Sequence, residues 1–150
     1  INIYFTKELQ NIIKKNIKIN IIGKKSNLPK KIKQRLDEVS KKTRKNNKII
    51  VNLAINYGSK SEIINAFKKI INKKGIINEN NIKKNLYTNS QDPDILIRTG
   101  GKKRLSNFLL WQIAYTELFF LDKLWPDFNK NDLIKIIKKY KKIKRNYGGV

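Results

Sequence analysis

Apolar side chains recur along the chain at two spacings, one typical of helices and one typical of strands. A spacing of three to four residues predicts amphipathic helices, and alternation or a short apolar run predicts strands. The predicted helices cover 3–15, a stretch opened by Pro29, a stretch opened by Ser59, and about 131–145. The predicted strands cover 17–23, 49–58, 94–101 and 117–121. Because the two types alternate, we expect an α/β fold with a mostly parallel sheet flanked by helices, formed by residues 1–150 as a single domain.

Local patterns add detail to three of these segments. Ser59 followed by Glu62 matches a capping box, which marks the start of a helix. The run FLLWQIAY (108–115) is apolar almost throughout, and it predicts a helix that is fully buried or packed against a partner subunit. The polar stretch 72–92 predicts a loop with a short helix. One apolar face of the second strand is made by its odd positions, Ile49, Val51, Leu53 and Ile55.

The composition limits what the net charge of +24 can establish. Ile, Lys and Asn make up half of the chain, and 30 of its 35 basic residues are lysines scattered along it. A charge of this size is typical of nucleic-acid-binding proteins. Solvated lysine faces on an ordinary globular protein account for it better, because a composition biased towards Ile, Lys and Asn would coat any fold in lysine whatever its function. A basic nucleic-acid-binding domain is therefore the weaker alternative.

Residue types that the sequence lacks exclude several kinds of site. With no Cys, the chain has neither disulfides nor thiolate metal sites, and with no His it lacks the usual general base and most zinc sites. No apolar run approaches the roughly 20 residues of a membrane span, and no signal peptide is recognisable at Ile1. We therefore expect a cytoplasmic protein with at most peripheral membrane association, and a chain that begins partway into a longer protein.

The segment RTGGKKRLS (98–106) combines several features of an anion site. It follows a predicted strand, and ligands of open parallel sheets bind beyond the carboxyl ends of strands. Arg98 and Arg104 can bind phosphate oxygens in a bidentate manner that lysine cannot. Ser106 is placed to cap a following helix, whose free N–H groups would favour an anion. These residues predict a phosphate or diphosphate pocket; the alternative is that Arg98 pairs with a carboxylate and Ser106 only caps a helix.

Glu117 is a candidate metal ligand. It begins the fourth predicted strand, directly after the apolar run, in a chain with only 11 acidic residues. Mg²⁺ commonly takes one or two protein carboxylates together with substrate phosphates. The alternative is a salt bridge between Glu117 and a neighbouring lysine.

The last third of the chain resembles the C-terminal signature of the cis-prenyltransferases, the undecaprenyl diphosphate synthase family. The stretch DPDILIRTGGKKRLSNFLLWQIAYTELFFLDKLWPDF (92–128) is similar to the family's R-T-[SG]-G-x-x-R-x-S-N-F-L-L-W-Q run, followed by Y-x-E-L and W-P-D-F. Upstream, NLAINYGSKSEI (52–63) resembles its N-x-A-x-N-Y-G-G-R-x-E-I segment, and IIGKKSNLP (21–29) resembles its I-I-G-D…L-P. The resemblance covers essentially all 150 residues.

This resemblance implies an enzyme that condenses isopentenyl diphosphate onto an allylic diphosphate with cis geometry and uses Mg²⁺. It implies a homodimer, and it implies that Glu117 binds Mg²⁺. The residues that it places around isopentenyl diphosphate are Arg98, Arg104, Leu105 and Ser106. Nucleotide binding is left as a minor alternative use of the same pocket.

Parts of the family's pattern have no counterpart in the sequence. The M-D-G-N-G-R loop with the catalytic aspartate and the S-x-E-N-W segment are both absent. We therefore expect the chain to lack the first strands of the sheet and the allylic half of the active site. Further departures from the pattern stand at Lys24, Lys60, Lys102, Lys103 and Asn146, with Arg145 one place early. An incomplete record of an active prenyltransferase is the favoured hypothesis, and a non-catalytic partner subunit is the alternative.

Overall fold

The computed structural model describes residues 2–26, 28–88 and 91–144, with side chains from position 8 onward. Its helices are α1 (Asn2–Lys14), α2 (Lys30–Lys42), α3 (Ser59–Asn72), α4 (Glu79–Asn85) and α5 (Lys130–Tyr140). Its strands are β1 (Ile17–Ile22), β2 (Ile49–Ala54), β3 (Ile95–Arg98) and β4 (Glu117–Phe120), and one 3₁₀ turn covers Trp125–Asp127. This order confirms the α/β prediction, and α4 is the short helix expected within 72–92.

The strands form two parallel pairs. β1 pairs with β2 in a register that begins with Ile17 opposite Ile49, and β3 pairs with β4 beginning with Ile95 opposite Glu117. The prediction of parallel strands flanked by helices is therefore confirmed. Within the described ranges, however, the strands make two two-stranded sheets and not one continuous sheet.

A groove of about 450 Å³ lies beside the first strand pair. Its lining includes Ile22 of β1, Asn52 of β2, residues 88 and 91–94 that precede β3, and residues 108 and 109 of the loop that follows β3. The first strand pair and the chain that flanks β3 therefore line one groove.

The larger hydrophobic core lies between the first strand pair and the helices α1 and α2. Its buried members are Leu9, Ile19, Leu36 and Val39. The two α2 residues lie three positions apart, so they fall on one face of the helix, as the sequence pattern predicts. Thr43 closes this core, since its buried Oγ1 accepts a 3.1 Å hydrogen bond from the Ile19 amide and donates a 2.8 Å bond to the Val39 carbonyl.

A smaller core joins α3 and α4 and supports the loop that follows β3. Its buried members are Ala66, Ile70, Ile82 and Leu86, and Trp111 packs against them. Trp111 belongs to the segment that follows Ser106, so this segment packs against α3 and α4.

The predicted apolar face of β2 is buried only in its second half. Leu53 and Ile55 pack against the larger core. In contrast, Ile49 is 50% exposed and Val51 is 37% exposed. Within the described residues, β2 pairs with a strand on one edge only.

The prediction of a buried helix over 108–115 is wrong. The segment is a series of turns, in which Ile113 N bonds to Leu109 O while Leu110 N leaves the helical pattern and bonds to the side chain of Ser59. Left-handed backbone at Leu109, with a φ of 47°, interrupts a helix at its start. Burial is also partial, since Ile113 is buried but Tyr115 is 66% exposed.

The last helix begins close to its predicted start and ends earlier than predicted. Asn129 caps it, and the side chain of Asp132 accepts a hydrogen bond from the Asn129 amide to complete a capping box. After Tyr140 the chain forms turns in which hydrogen bonds join residues three positions apart, such as Ile143 N to Tyr140 O. The predicted end at 145 lies outside the described residues. None of the helices that the structure describes is both long enough and apolar enough to cross a membrane.

Candidate functional site

Arg98 is the centre of the candidate site, and it ends β3. Its Nη1 atom donates a 3.0 Å hydrogen bond to Oγ of Ser106. The same nitrogen donates to the backbone carbonyl of Arg104. The structure therefore brings together the three polar residues that the sequence predicted, and Leu105 lies between two of them.

The glycine pair after Arg98 lets the chain turn but does not offer its amides to a ligand. Gly100 and Gly101 have φ values of 88° and 71°, which residues with a side chain rarely adopt. Gly100 N bonds to the carbonyl of Lys123, and Gly101 N bonds to that of Leu121, each at 2.9 Å. These two bonds join the turn to the chain that follows β4. After the turn the loop returns to the end of β3, where Ser106 bonds to Arg98.

The prediction that Ser106 caps a helix is wrong. Ser106 lies in left-handed backbone with a φ of 50°, and no helix begins there. Its hydroxyl instead accepts the hydrogen bond from Arg98. An anion at this site would therefore be held by side chains and not by a helix N-terminus that starts at Ser106.

A cavity of about 230 Å³ opens beside these residues. Its lining combines four apolar residues with two arginines and a serine. The lining residues are Leu96, Ile97, Arg98, Arg104, Leu105, Ser106 and Phe108. The cavity can therefore hold a small molecule that has an apolar part and an anionic part.

The alternative that Arg98 pairs with a carboxylate finds no support in the described part of the chain. Neither Arg98 nor Arg104 forms an ion pair there, whereas Arg35 does, with Glu38. Two arginines that line one cavity, with no ion pair in the described residues, leave an excess of positive charge there. Such an arrangement favours an anion that carries several oxygens.

Glu117 lies at the other end of the β3–β4 ladder from Arg98. Glu117 is paired with Ile95, and Arg98 is paired with Phe120. Along the strand direction, three ladder positions therefore separate the backbone of Glu117 from that of Arg98, a distance of roughly 10 Å. Glu117 is half-buried and forms no ion pair with a lysine within the described ranges. Among the residues that the structure describes, Glu117 therefore has neither a salt bridge to a lysine nor a hydrogen bond to Arg98 or Arg104.

A buried polar cluster behind the site was not recognised from the sequence. Glu62 is 1% exposed, and its carboxylate accepts hydrogen bonds from the Tyr57 hydroxyl, the Tyr87 amide at 2.6 Å and Gln112 Nε2 at 3.1 Å. Burial, followed by the Glu62 carboxylate, raises the pKa of the Tyr57 phenol. Glu62 was expected in a capping box with Ser59, but α3 is preceded by Gly58 and has no such box.

The physical reason for that error is the burial of both side chains. Glu62 satisfies three donors from other segments, so it does not turn back to the start of its own helix. Ser59 is fully buried and accepts a 2.9 Å hydrogen bond from Leu110 N. A capping box was a local interpretation, whereas Tyr87, Gln112 and Leu110, which bond to these two side chains, lie 25 to 51 positions away.

The positions that depart from the family's pattern are exposed where the structure describes them. Lys60, Lys102 and Lys103 are exposed, and the last two directly follow the Gly100–Gly101 turn. Lys24 N bonds to Asn56 O at 3.2 Å, beside the end of β2. Arg145 and Asn146 lie outside the described residues.

Comparison with known proteins identifies the family. Residues 1–148 match the family model described as "Putative undecaprenyl diphosphate synthase". An isoprenyl transferase from Fusobacterium nucleatum is 43% identical over 148 residues, which cover 98% of this chain and 64% of that relative. A tritrans,polycis-undecaprenyl-diphosphate synthase (geranylgeranyl-diphosphate specific) from Pyrococcus furiosus is 46% identical over 88% of this chain and 53% of its own length.

Solved structures agree with the sequence relatives. The crystal structure of a probable undecaprenyl diphosphate synthase from Campylobacter jejuni superposes with a TM-score of 0.90 at 39% identity, over 97% of this chain and 69% of that one. Lavandulyl diphosphate synthase from Lavandula x intermedia, solved in complex with dimethylallyl diphosphate, superposes with a TM-score of 0.90 at 29% identity. The match covers 99% of this chain and 68% of that one. The chain thus spans between about half and two thirds of these relatives, and it belongs to the undecaprenyl diphosphate synthase family of prenyltransferases.

Proposed function

We propose that this chain carries the isopentenyl diphosphate site of a cis-prenyltransferase that joins isopentenyl diphosphate to an allylic diphosphate. The observation that carries the proposal is that Arg98, Arg104 and Ser106 line one cavity whose other lining residues are apolar. A five-carbon hydrocarbon with a terminal diphosphate has the same two parts as that cavity. Family membership supports the same assignment.

Each residue of the proposed site has a separate task. Arg98 and Arg104 bind the diphosphate oxygens, and Ser106 fixes the Arg98 guanidinium through its hydroxyl. Leu105 contributes to the wall against which the isopentenyl group packs. Together they hold the double bond of isopentenyl diphosphate where the allylic carbon can reach it, so positioning and charge stabilisation supply most of the rate.

The proposed reaction makes one carbon–carbon bond and breaks one carbon–oxygen bond. The double bond of the isopentenyl unit attacks the allylic carbon, inorganic diphosphate leaves that carbon, and the isopentenyl unit loses a proton. The residues of this chain keep the attacking group aligned and compensate the charge of its diphosphate. The catalytic aspartate expected from the family's M-D-G-N-G-R loop has no counterpart among these residues.

Mg²⁺ is part of the proposal, with Glu117 as its ligand. The described residues contain no group of three or more acidic side chains that could hold a metal by themselves. One carboxylate still fits Mg²⁺, because this ion commonly takes one or two protein carboxylates and completes its shell with phosphate oxygens and water. When bound, the ion would neutralise diphosphate charge and help the allylic diphosphate to leave.

A homodimer is also proposed, and its surface would include the end of the 108–115 run. Large apolar side chains are exposed just before β4, in β4, between β4 and α5, and in α5. They include Tyr115, Leu118, Leu124, Trp125 and Leu133. The rings of Trp125 and Phe128 stack at 5.8 Å, which presents a flat apolar face. Exposed apolar patches of this kind mark protein–protein contacts.

Titration calorimetry with isopentenyl diphosphate in the presence of Mg²⁺ tests the site directly. We expect binding to the purified protein, no binding of isopentenol, and loss of binding in Arg98→Ala. Arg44→Ala is the matched control, because Arg44 is an exposed arginine just beyond α2. Equal affinity for isopentenyl diphosphate in Arg98→Ala and Arg44→Ala would contradict the proposal.

Two further measurements separate the alternatives. In the full-length protein, binding of isopentenyl diphosphate without turnover would favour the non-catalytic partner subunit over the enzyme. A nucleic-acid-binding domain would instead bind DNA with an affinity that falls steeply as salt rises.

A further inference from the structure

The N-terminus of α3 and the loop after Ser106 are joined by three hydrogen bonds, which we call the α3–loop clasp. Ser59 N donates to the carbonyl of Asn107 at 2.8 Å, and Lys60 N donates to Asn107 Oδ1 at 2.9 Å. In return, Leu110 N donates to Oγ of Ser59 at 2.9 Å. Asn107 therefore caps a helix that begins 48 positions earlier in the chain, and the helix holds the loop in place.

Gly58 allows the two segments of the clasp to approach. A Cβ atom at this position would lie 2.8 Å from Nδ2 of Asn107, closer than real Cβ contacts. A residue with a Cβ atom would therefore require the Nδ2 end of the Asn107 side chain to shift. Glycine at 58 lets that side chain lie close against the start of α3.

The loop needs such support because its backbone is unfavourable. Ser106, Asn107 and Leu109 have φ values of 50°, 61° and 47°, and left-handed backbone is costly for residues other than glycine. Conformations of this kind persist only where neighbouring contacts impose them. The clasp contacts two residues of this loop directly, Asn107 and Leu110. Ser106, which bonds to Arg98, is the residue next to Asn107.

We propose that Ser59 and Asn107 are positioning residues for the diphosphate site, acting through the clasp on Ser106 and Arg98. This inference rests on the proposed function. Ser59 is of particular interest, because the family's N-Y-G-G-R pattern has glycine where this chain has serine. Its side chain is fully buried and makes a bond to the loop that glycine cannot make.

Two measurements on the purified protein test the inference. Hydrogen exchange by mass spectrometry, on peptides that cover 104–111, reports loop order without any ligand. Calorimetry with isopentenyl diphosphate and with inorganic pyrophosphate reports the site. The variants are Ser59→Ala and Asn107→Ala, and the matched control is Ser61→Ala, which makes the same change in the same helical turn at a half-buried serine.

We expect both clasp variants to speed exchange across 104–111 and to weaken binding of both diphosphates about tenfold, as the loss of one buried hydrogen bond would. Ser61→Ala should leave both measurements unchanged. Asn107→Asp keeps an acceptor for Lys60 N, so it should retain slow exchange. This rescue distinguishes loss of the clasp from general misfolding.

The outcomes separate the inference from the proposed function. Unchanged exchange in Ser59→Ala and Asn107→Ala would overturn the inference, and so would faster exchange with unchanged affinity. If the wild-type protein binds neither diphosphate, the proposed function fails, and the positioning role that rests on it fails as well. Faster loop exchange in that case would still show that the clasp orders the loop.

Discussion

Arg98 Nη1 donates a 3.0 Å hydrogen bond to Oγ of Ser106, which lies eight positions further along the chain. The bond spans the glycine turn and ties the end of β3 to the loop that follows it. Since no carboxylate pairs with Arg98 in the described residues, the bond orients a positive charge without neutralising it. An oriented and unneutralised guanidinium is the feature on which the diphosphate proposal depends.

Removing the acceptor of that bond should weaken the site without abolishing it. In Ser106→Ala the Arg98 guanidinium loses one of its two contacts and keeps the one with the Arg104 carbonyl. We expect the Kd for isopentenyl diphosphate to rise about 3- to 10-fold, in line with one modest hydrogen bond. Calorimetry measures this change, and an affinity equal to that of the wild type would show that Ser106 does not orient Arg98 for the ligand.

The buried carboxylate behind the loop should be important for stability. Glu62→Gln keeps the shape of the side chain but turns an NH₂ group toward donors from Tyr57, Tyr87 and Gln112. We expect the free energy of unfolding to fall by about 2–4 kcal/mol, because buried groups then lose their partners. Urea unfolding measures the change.

Glu79→Gln is the control for that experiment, since Glu79 is an exposed residue in the first turn of α4. Its effect should stay below about 1 kcal/mol, the range of a charge near a helix end. Similar losses in the two variants would mean that the Glu62 cluster contributes nothing beyond its charge.

The phenol of Tyr57 should make the protein sensitive to alkali. Burial and the nearby Glu62 carboxylate raise its pKa, so the folded state binds this proton more tightly than the unfolded state does. Its stabilising effect is complete below the ordinary tyrosine pKa of about 10 and is lost as the pH rises further. Urea unfolding from pH 8 to 11 should show a smaller decline in Tyr57→Phe than in the wild type, and parallel declines would contradict this assignment.

The cap of α5 should respond to acid in the opposite direction. Lys123, followed by the Asn129 amide, holds the pKa of Asp132 below its usual range. A lowered folded-state pKa means that the carboxylate stabilises the fold above about pH 4 and that this effect is lost as the pH falls through the folded-state value. Thermal unfolding between pH 6 and 2.5 should show less acid-dependent loss for Asp132→Asn. A pH profile identical to that of the wild type would contradict the assignment of this acid-dependent loss to Asp132.

Local periodicity predicted the parts of the fold whose interactions are local. Leu36 and Val39 lie on one face of α2 as expected, and alternation located β1 and β2. The failures have a common cause in contacts between distant segments. The run at 108–115 has the composition of a helix, yet the bond from Leu110 N to Ser59 and the left-handed residues beside it interrupt one.

The candidate site shows the same division. Arg98 and Ser106 were recognisable because both belong to one short motif, and the family's pattern gave them a ligand. Glu62 and Gln112 are 50 positions apart, so no local pattern pointed to their bond. The sequence showed Ser59 as a serine near a helix start, so we predicted a local cap. Its bond to Leu110, 51 positions away, could not be predicted from that local pattern.

Steady-state kinetics of the full-length protein test the central claim most directly. Arg98→Ala should raise the KM for isopentenyl diphosphate by roughly 10- to 100-fold, the cost of a lost charge-assisted hydrogen bond, and should change the KM for the allylic diphosphate little. Arg98→Lys should fall between the wild type and Arg98→Ala, because lysine keeps the charge without the bidentate geometry. Equal increases in KM for both substrates would contradict the assignment of Arg98 to the isopentenyl diphosphate site.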